Sequence, residues 1–371
     1  MEMHSFDAII VGAGPAGSTT AYRLAASGAS VLLVDKARFP RDKPCGGGVT
    51  LRAARLLPFS IEPVVEDVVD RFELRLGYRS SFDRVSDEPL CLMTQRRRLD
   101  EFLARKAEEV GAEFRHGVPV AFEDGGVVVD RERVQAHVIV GADGVNGATA
   151  RAFGLARDHG HGVALEGNGP LDTRYRGKLV LELGVVPGGY AWVFPKGDHV
   201  NVGVGGWESE GPLLREHLRR LCAVHEVDYD ALTDLRGYRL PFRRSSSSFA
   251  IDNVLLVGDA AGLIDPLSGD GMYEAFVSAQ LAADAILSGD PAAYESRVLG
   301  ELGALHAASW TAKYALDRFP RLTFAVARAP LAWGVISRIV KGDLKDPTAA
   351  RGLYRAPLRA LDRLGKIAQP V

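Results

Sequence analysis

The chain has 371 residues, of which 47% are hydrophobic and 25% are charged, and this balance is typical of a globular protein. Its formal net charge of −2 favours no nucleic-acid partner. The three cysteines, Cys45, Cys91 and Cys222, form neither a C-x-x-C pair nor a zinc-ligand spacing. We therefore predict no metal site and a reducing compartment.

The ends of the chain bear on its location. The opening stretch MEMHSFDAIIVGAGPAG has no basic region and no small-residue cleavage site, so we expect no leader peptide and a cytoplasmic protein. No stretch reaches the roughly 18 uninterrupted apolar residues of a membrane span. Residues 311–371 carry 12 Lys/Arg and 4 Asp/Glu. This basic tail has two interpretations: it makes peripheral contact with an anionic membrane, or it is a helical face exposed to solvent.

Residues 6–36 predict a strand, a tight turn, a helix and a second strand. Three glycines give G-x-G-x-x-G, which suits a turn, close approach of a pyrophosphate, and helix–strand packing. An acidic residue ends the second strand. At this position a carboxylate typically accepts a hydrogen bond from a ribose hydroxyl, and it disfavours a dinucleotide with a 2′-phosphate. The predicted dinucleotide site therefore contains Gly12, Gly14, Ala16, Gly17, Asp35 and Lys36.

Two later segments repeat the strand-then-glycine pattern. HVIVGADGVNGATARAFG (137–154) is a strand followed by Gly-Ala-Asp-Gly and a short helix. In residues 253–287 a strand leads to Gly258 and Asp259, then to Pro266 and a long helix opened by Gly-Asp-Gly. Together with the first motif, these segments resemble the three fingerprints of the FAD-dependent family typified by aromatic hydroxylases and geranylgeranyl reductases.

The resemblance implies FAD as cofactor. Asp259 can accept a hydrogen bond from a ribityl hydroxyl, and the amides from Gly269 through Gly271 to Met272 can stabilise negative charge on a reduced flavin. Arg96 matches the arginine of the family's R-x-x-[FL]-D segment beside the cofactor, whereas Arg97 and Arg98 read as a solvated face.

Asp143 of the second fingerprint has two interpretations. The resemblance places it near the pyrophosphate, and turn chemistry makes it a capping residue. The family often has Ser where this chain has Gly147.

The segment RDKPCGGGVT (41–50) follows the second strand, so topology places it beside the flavin. It resembles the P-C-G-G-G loop of geranylgeranyl reductases. Cys45 has three interpretations: a disulfide partner, a buried small hydrophobe, or a residue at the flavin and substrate, and we favour the last. Gly46 is predicted to contact the cofactor, and Gly47 and Gly48 the substrate, because bare backbone permits close approach.

The stretch GGYAWVFPKGDHVNVGVGG (188–206) resembles the Y-x-W-x-F-P signature of the same family. Tyr190, Trp192 and Phe194 alternate and so share one face of a strand. They either wall a substrate cavity over the flavin or fill the core behind it. Tyr190 and Trp192 are predicted as catalytic residues with Cys45, and Lys196 is expected to be an exposed turn residue.

We predict an α/β fold in three parts. A Rossmann-type FAD-binding domain is formed by residues 1–58, 96–158 and 250–290. A β-rich substrate domain, inserted into it, is formed by residues 59–95 and 159–249. Residues 291–371 form a helical C-terminal region, which either covers the substrate entrance or packs on the body.

The favoured function is reduction of C=C bonds in a prenyl, lipid-like substrate by hydride from reduced flavin. No second G-x-G-x-x-G with Rossmann context occurs, so NAD(P)H or a protein donor is expected to supply electrons transiently. The alternative is a flavin monooxygenase acting on an aromatic metabolite. A halogenase is disfavoured because the W-x-W-x-I-P stretch of halogenases here has Tyr190 and Phe194.

Overall fold

A computed structural model describes residues 5–123, 126–156, 159–243 and 247–369. Within those ranges, the strands are β1 (Ser5–Val11), β2 (Val31–Asp35), β3 (Gly48–Thr50), β4 (Val65–Val69), β5 (Arg71–Leu76), β6 (Ser80–Val85), β7 (Cys91–Thr94), β8 (Glu113–His116), β9 (Val120–Glu123), β10 (Gly126–Val129), β11 (Glu132–Gly141), β12 (His159–Pro170), β13 (Lys178–Leu183), β14 (Tyr190–Pro195), β15 (His199–Trp207), β16 (Thr233–Arg243), β17 (Ala250–Ile251) and β18 (Val254–Leu256). The α-helices are α1 (Pro15–Ala26), α2 (Leu51–Ala54), α3 (Arg96–Glu109), α4 (Ala148–Ala152), α5 (Leu214–Val224), α6 (Met272–Leu287), α7 (Tyr294–Arg318), α8 (Pro320–Arg328), α9 (Pro330–Lys341) and α10 (Arg355–Ala368).

The first sheet has the order β17-β18-β11-β1-β2-β8, and β10 and β9 extend from β11. β1 runs parallel to both β11 and β2. Its residues Ile9 and Ile10 are fully buried, as a parallel strand covered on both faces requires. The helix α1 packs against α3 and α6. The carboxyl ends of β1, β2, β11 and β18 therefore meet at one edge, where such sheets bind ligands.

The second sheet has the order β16-β12-β15-β14-β13-β5-β6. β14 lies between β13 and β15 and is antiparallel to both. One face of this sheet is covered by α5, whose Leu214, Leu218 and Leu221 are buried with Val202 and Val204 of β15. The opposite face carries the aromatic side chains of β14.

A third, small sheet has the order β3-β7-β4. The pair Gly48 and Met93 links β3 to β7 in antiparallel register. This sheet anchors the C-terminal end of the segment 41–50, because the amide and the hydroxyl of Thr94 both donate to the Gly47 carbonyl, at 2.7 and 2.9 Å.

The C-terminal region is helical. α7 contacts α10, α8 and α6. Within the described ranges, no single helix has the length and apolar character of a membrane span; α8 and α9 together meet that test but are bent by 83° where they join. The predicted α/β fold with a helical C-terminal region is confirmed.

Candidate active site

A cavity of about 660 Å³ runs from the carboxyl edge of the first sheet to the aromatic face of the second. It brings together residues from all three sequence fingerprints, the 41–50 segment and β14. The predicted site residues that line it are Gly12, Gly14, Ala16, Asp35, Lys36, Cys45, Gly46, Gly47, Gly48, Arg96, Asp143, Tyr190, Trp192, Phe194, Asp259, Pro266, Gly269, Gly271 and Met272.

Two predicted cofactor residues, Gly17 and Gly258, are not among the residues that line the cavity. A Cβ on Gly17 would lie 1.8 Å from the Gly12 carbonyl oxygen, so Gly17 allows α1 to pack on the end of β1. Gly258 has a φ of +55° and lies against Ala16, and its amide donates to Ser278 Oγ at 3.0 Å. Both glycines therefore shape the site through packing.

Asp35 ends β2 at the cavity, as predicted. Its Oδ2 accepts from the Ala13 amide at 2.9 Å, and its Oδ1 accepts from the Ala37 amide at 2.8 Å. The carboxylate thus fixes the glycine turn itself. Each oxygen keeps a second lone pair for a hydroxyl donor.

The buried carboxylate of Asp100 holds Arg41 and Arg96 next to the N-terminus of α1. Arg96 donates from Nε and Nη2 to Asp100 at 2.7 and 2.8 Å, and Arg41 Nη1 lies 2.8 Å from Asp100 Oδ2. Asp100 is fully buried. A Cβ on Gly14 would lie 3.5 Å from Arg41 and 3.9 Å from Arg96. Arg41 Nε also lies 3.9 Å from Asp35 Oδ2, so two carboxylates balance the two guanidinium groups. The guanidinium N–H groups that these carboxylates leave free beside Gly14 suit a phosphate.

Asp143 caps a helix, as one of its two interpretations predicted, and it also lines the cavity. Its Oδ2 accepts from the amide and the hydroxyl of Thr149, at 2.9 and 3.0 Å, and so caps the first turn of α4. Its Oδ1 is buried and, among the described residues, has no hydrogen-bond partner. A Cβ on Gly147 would lie 2.2 Å from the Asp143 carboxylate. The observed position of the Asp143 side chain therefore requires glycine at residue 147.

Asp259 lines the cavity and has two partners that the sequence did not reveal. Lys43 Nζ donates to its Oδ2 at 2.8 Å, and the Tyr238 hydroxyl donates to the same oxygen at 3.0 Å. Burial alone would raise the pKa of Asp259, but Lys43 and Tyr238 outweigh burial and lower it. The carboxylate is therefore ionised and can accept from a ribityl hydroxyl.

The amides predicted to face a reduced flavin are largely engaged within the protein. Gly269 donates to the Asp265 carbonyl at 2.9 Å, the Asp270 amide to Ser268 Oγ at 3.2 Å, and Met272 to Asp270 Oδ1 at 2.8 Å. Among the described residues, Gly271 alone of this group donates to no acceptor. The expectation of four available amides is wrong, because the Asp265 carbonyl and the side chains of Ser268 and Asp270 accept from three of them.

The three aromatic residues of β14 all face the cavity. The ring centroids of Tyr190 and Trp192 are 5.9 Å apart, and those of Trp192 and Phe194 are 6.1 Å apart. Trp192 Nε1 donates to Asn201 Oδ1 at 2.8 Å, and the Tyr190 hydroxyl donates to the Ser268 carbonyl. Burial raises the pKa of Tyr190. These rings form a rigid apolar wall whose polar atoms are satisfied.

Cys45 is half-buried, lines the cavity and has a free thiol, so the disulfide interpretation is wrong. Its Sγ accepts from the Gly47 amide at 3.4 Å, and its own amide donates to Glu166 Oε1 at 2.7 Å. A Cβ on Gly46 would lie 2.8 Å from the Phe194 ring. The bare backbone of this loop therefore lies directly on the aromatic wall.

Lys196 is not the exposed turn residue that the sequence suggested. It is 6% exposed, and its Nζ donates to the Cys45 carbonyl at 2.9 Å. Glu166, on β12, was also missed. Burial raises the pKa of Glu166, although Lys196 and the Cys45 amide act in the opposite direction. The isolated positions of Lys196 and Glu166 in the sequence give no signal of this arrangement.

The cavity fits FAD by its own features. The N-terminus of α1 and the two arginines suit the pyrophosphate, and the orphaned Asp143 Oδ1 and the Asp259 carboxylate supply acceptors along the groove. The aromatic wall suits the tricyclic ring. The described residues contain no group of three or more His, Cys, Asp or Glu side chains that could hold a metal ion.

Sequence comparison agrees with this geometry. The family model described as "FAD binding domain" matches residues 5–169, and "Geranylgeranyl reductase catalytic domain" matches residues 171–220. A digeranylgeranylglycerophospholipid reductase from Methanopyrus kandleri is 32% identical over 303 residues, covering 75% of this chain and 80% of the relative. This chain belongs to the geranylgeranyl reductase family of FAD-dependent oxidoreductases. FAD is therefore its cofactor, and both predictions are confirmed.

Two further matches describe the extent of the likeness. A menaquinone reductase from Mycobacterium tuberculosis is 33% identical over 325 residues, covering 77% of this chain and 78% of the relative. The crystal structure of a geranylgeranyl bacteriochlorophyll reductase-like protein from Thermoplasma acidophilum superposes with a TM-score of 0.79 at 23% identity, over 98% of this chain and 100% of that one. The latter shows that the whole fold is shared.

Proposed function

We propose that this protein reduces carbon–carbon double bonds in a polyprenyl chain carried by a lipid-like molecule. The observation that carries the proposal is the continuity of the nucleotide groove with the apolar wall of Tyr190, Trp192 and Phe194. An extended hydrocarbon fits such a wall because it has no polar group to satisfy. The Methanopyrus relative is named a digeranylgeranylglycerophospholipid reductase, and this name supports the same class of substrate.

The chemistry places two demands on these residues. When bound and reduced, FAD supplies a hydride to one carbon of the double bond. An isolated alkene is a poor hydride acceptor, so the protein must align it and exclude water. The edge-to-face ring of Tyr190 against Trp192 and the Gly46 backbone on Phe194 confine the space available. We propose that Cys45, Tyr190 and Trp192 contact the reacting carbons, and that Gly47, Gly48 and Phe194 hold the chain.

The position of the Cys45 loop is set by two charged residues on opposite sides of it. Glu166 accepts from the amide of Cys45, and Lys196 donates to its carbonyl. These bonds fix the peptide units around the thiol while leaving Sγ at the cavity. We propose NAD(P)H or a protein donor as the transient reductant.

The decisive experiment reduces the FAD-loaded protein anaerobically with dithionite and then adds a geranylgeranyl lipid. We expect the flavin absorbance to return, and mass spectrometry to detect a product with two added hydrogens for each bond reduced. In a parallel aerobic assay with NAD(P)H, oxygen-dependent NAD(P)H consumption with an oxygen-bearing product would overturn the proposal in favour of a hydroxylase. The matched control is the fully saturated lipid, which should leave the flavin reduced.

We further propose peripheral contact with a lipid surface through the C-terminal helices. Leu353 and Ile367 are 76% and 73% exposed, and Arg351, Arg355 and Lys366 are their basic neighbours in the sequence. Apolar and basic side chains together suit an anionic interface. Flotation with phosphatidylglycerol vesicles should recover the protein. The double variant Leu353→Asp, Ile367→Asp should stay behind; equal recovery of both proteins would contradict the proposal.

The division of the chain into an FAD-binding domain, an inserted substrate domain and a C-terminal region, at the boundaries predicted above, also stands as a proposal. The sheets support this division: β1, β2, β8, β11, β17 and β18 share the first sheet, and β5, β6 and β12 to β16 form the second. The pairing of β3 with β7 crosses the predicted boundary at residue 58 and counts against that boundary. Limited proteolysis of the FAD-loaded protein would test it, with cleavage expected near residues 58, 95 and 290.

A further inference from the structure

A group of buried polar atoms without partners lies at one side of the cavity. Both carboxylate oxygens of Glu274 are buried and, among the described residues, accept no hydrogen bond. The same is true of Asp270 Oδ2, while His306 Nε2 and the Nε and Nη1 atoms of Arg52 likewise have no acceptor. Buried polar groups are normally satisfied, so a concentration of exceptions calls for an explanation.

Three of these side chains lie on α7, on α6 and on the turn that leads from the cavity into α6. His306, on α7, has a side chain that is 16% exposed, and its Nε2 lies 3.8 Å from Glu274 Oε1. Glu274 is fully buried in the first turn of α6. Asp270 precedes it by four residues and lines the cavity. A separation of 3.8 Å is too long for a direct hydrogen bond, but a small side-chain rotation or one water molecule bridges it.

The electrostatics suit proton exchange near neutrality. Burial, together with the charges of Asp270 and Asp265, raises the pKa of Glu274 to about 7, although His306 and Arg52 act in the opposite direction. Burial also raises the pKa of Asp270, against the influence of Arg52. Arg52 itself stacks on Tyr273, 4.0 Å from the ring centroid.

Alkene reduction needs such a route. The hydride adds to one carbon and a proton must add to the other, so that the π bond breaks and two C–H bonds form. The aromatic wall that confines the hydrocarbon also keeps bulk water away. The Tyr190 hydroxyl is a poor source, since it donates to Ser268 and burial raises its pKa.

We propose that His306, Glu274 and Asp270 form a proton path that delivers this proton from solvent to the cavity. Asp270 faces the cavity, whereas Glu274 and His306 act through it. The path rests on the proposed alkene reduction. It assigns a task to the buried Glu274, which neither the fingerprints nor the cofactor explain.

The test follows the anaerobic oxidation of the reduced, FAD-loaded protein by a geranylgeranyl lipid as a function of pH. We expect Glu274→Gln to slow this step by about 10²-fold or more and to abolish its pH dependence around neutrality. His306→Ala should slow it less, and added imidazole should restore the rate. Asp284→Asn, an exposed acid on the same helix, is the matched control and should behave like the wild type.

Two outcomes separate the path from the function. If the wild type is not oxidised by the lipid, the proposed function fails. If the wild type is oxidised and Glu274→Gln shows the same rate and pH profile, the path is wrong. A second measurement needs no turnover: infrared spectra of the protein should contain a protonated carboxyl band that titrates near pH 7 and is missing from Glu274→Gln, and its presence in that variant would also overturn the path.

Discussion

Lys196 Nζ lies 2.9 Å from the carbonyl oxygen of Cys45 and so ties the end of the aromatic strand to the loop that carries the thiol. The two residues are 151 positions apart in the chain. The contact holds the Cys45 loop at one distance from Trp192 and Phe194. It also places a cation next to the buried carboxylate of Glu166, which accepts from the Cys45 amide.

We expect Lys196→Met to retain FAD but to loosen this loop. Loss of a charged donor to a buried carbonyl costs about 2 kcal/mol of unfolding free energy, and turnover should fall because the Cys45 loop is no longer fixed. Chemical denaturation and steady-state kinetics measure the two effects. Lys345→Met, at an exposed ion pair, is the control. A variant with wild-type stability and turnover would show that the contact has no role.

Asp100→Asn should destabilise the protein without FAD far more than the loaded protein. The substitution leaves Arg96 buried without its carboxylate, which costs about 3–5 kcal/mol, and a bound pyrophosphate can partly replace the lost charge. Thermal unfolding with and without FAD tests this expectation. Glu101→Gln, the adjacent acid on α3, should change neither midpoint. Equal destabilisation of the FAD-free and FAD-loaded protein would show that the two arginines do not bind the cofactor.

Gly147→Ser introduces the residue that the family often has at this position. Because a Cβ there would lie 2.2 Å from the Asp143 carboxylate, Asp143 must move away from Thr149. We expect a loss of about 1–3 kcal/mol and weaker FAD retention during dialysis. Gly303→Ser, at a site with open space around the glycine, is the control. Full FAD occupancy and unchanged stability would mean that Asp143 is free to adopt another position.

Cys45→Ala should keep FAD bound and lower the turnover number roughly tenfold or more. The thiol lies at the cavity and makes only a weak contact with the Gly47 amide, so its removal should hardly affect folding. Cys222→Ala, at a buried cysteine of α5, serves as the comparison. Kinetics identical to the wild type would reduce Cys45 to a packing residue.

Glu274→Gln should stabilise the protein in a pH-dependent way. Burial raises the pKa of Glu274 from 4.5 to about 7, so the wild type loses stability as the pH rises between these values, where the unfolded chain is ionised and the folded protein is not. The neutral variant avoids this loss, and its advantage should reach about 3 kcal/mol above pH 7 and vanish below about pH 4.5. Denaturation at several pH values measures it; a constant difference would contradict the raised pKa.

The sequence by itself determined the cofactor fold. Gly12, Gly14 and Asp35 act through backbone geometry within about 25 residues, and such local requirements are written into residue type and spacing. The alternation of Tyr190, Trp192 and Phe194 likewise predicted their common face, because side chains on a strand have a period of two.

Tertiary structure decided what surrounds these motifs. Lys43 and Tyr238 meet at Asp259, Glu166 and Lys196 meet at Cys45, and His306 approaches Glu274 only because distant strands and helices pack together. Three of the four amides expected to face the flavin likewise donate to neighbouring groups of the same turn. Burial and long-range charge set which groups are ionised, and neither quantity has a period or spacing that a sequence can reveal.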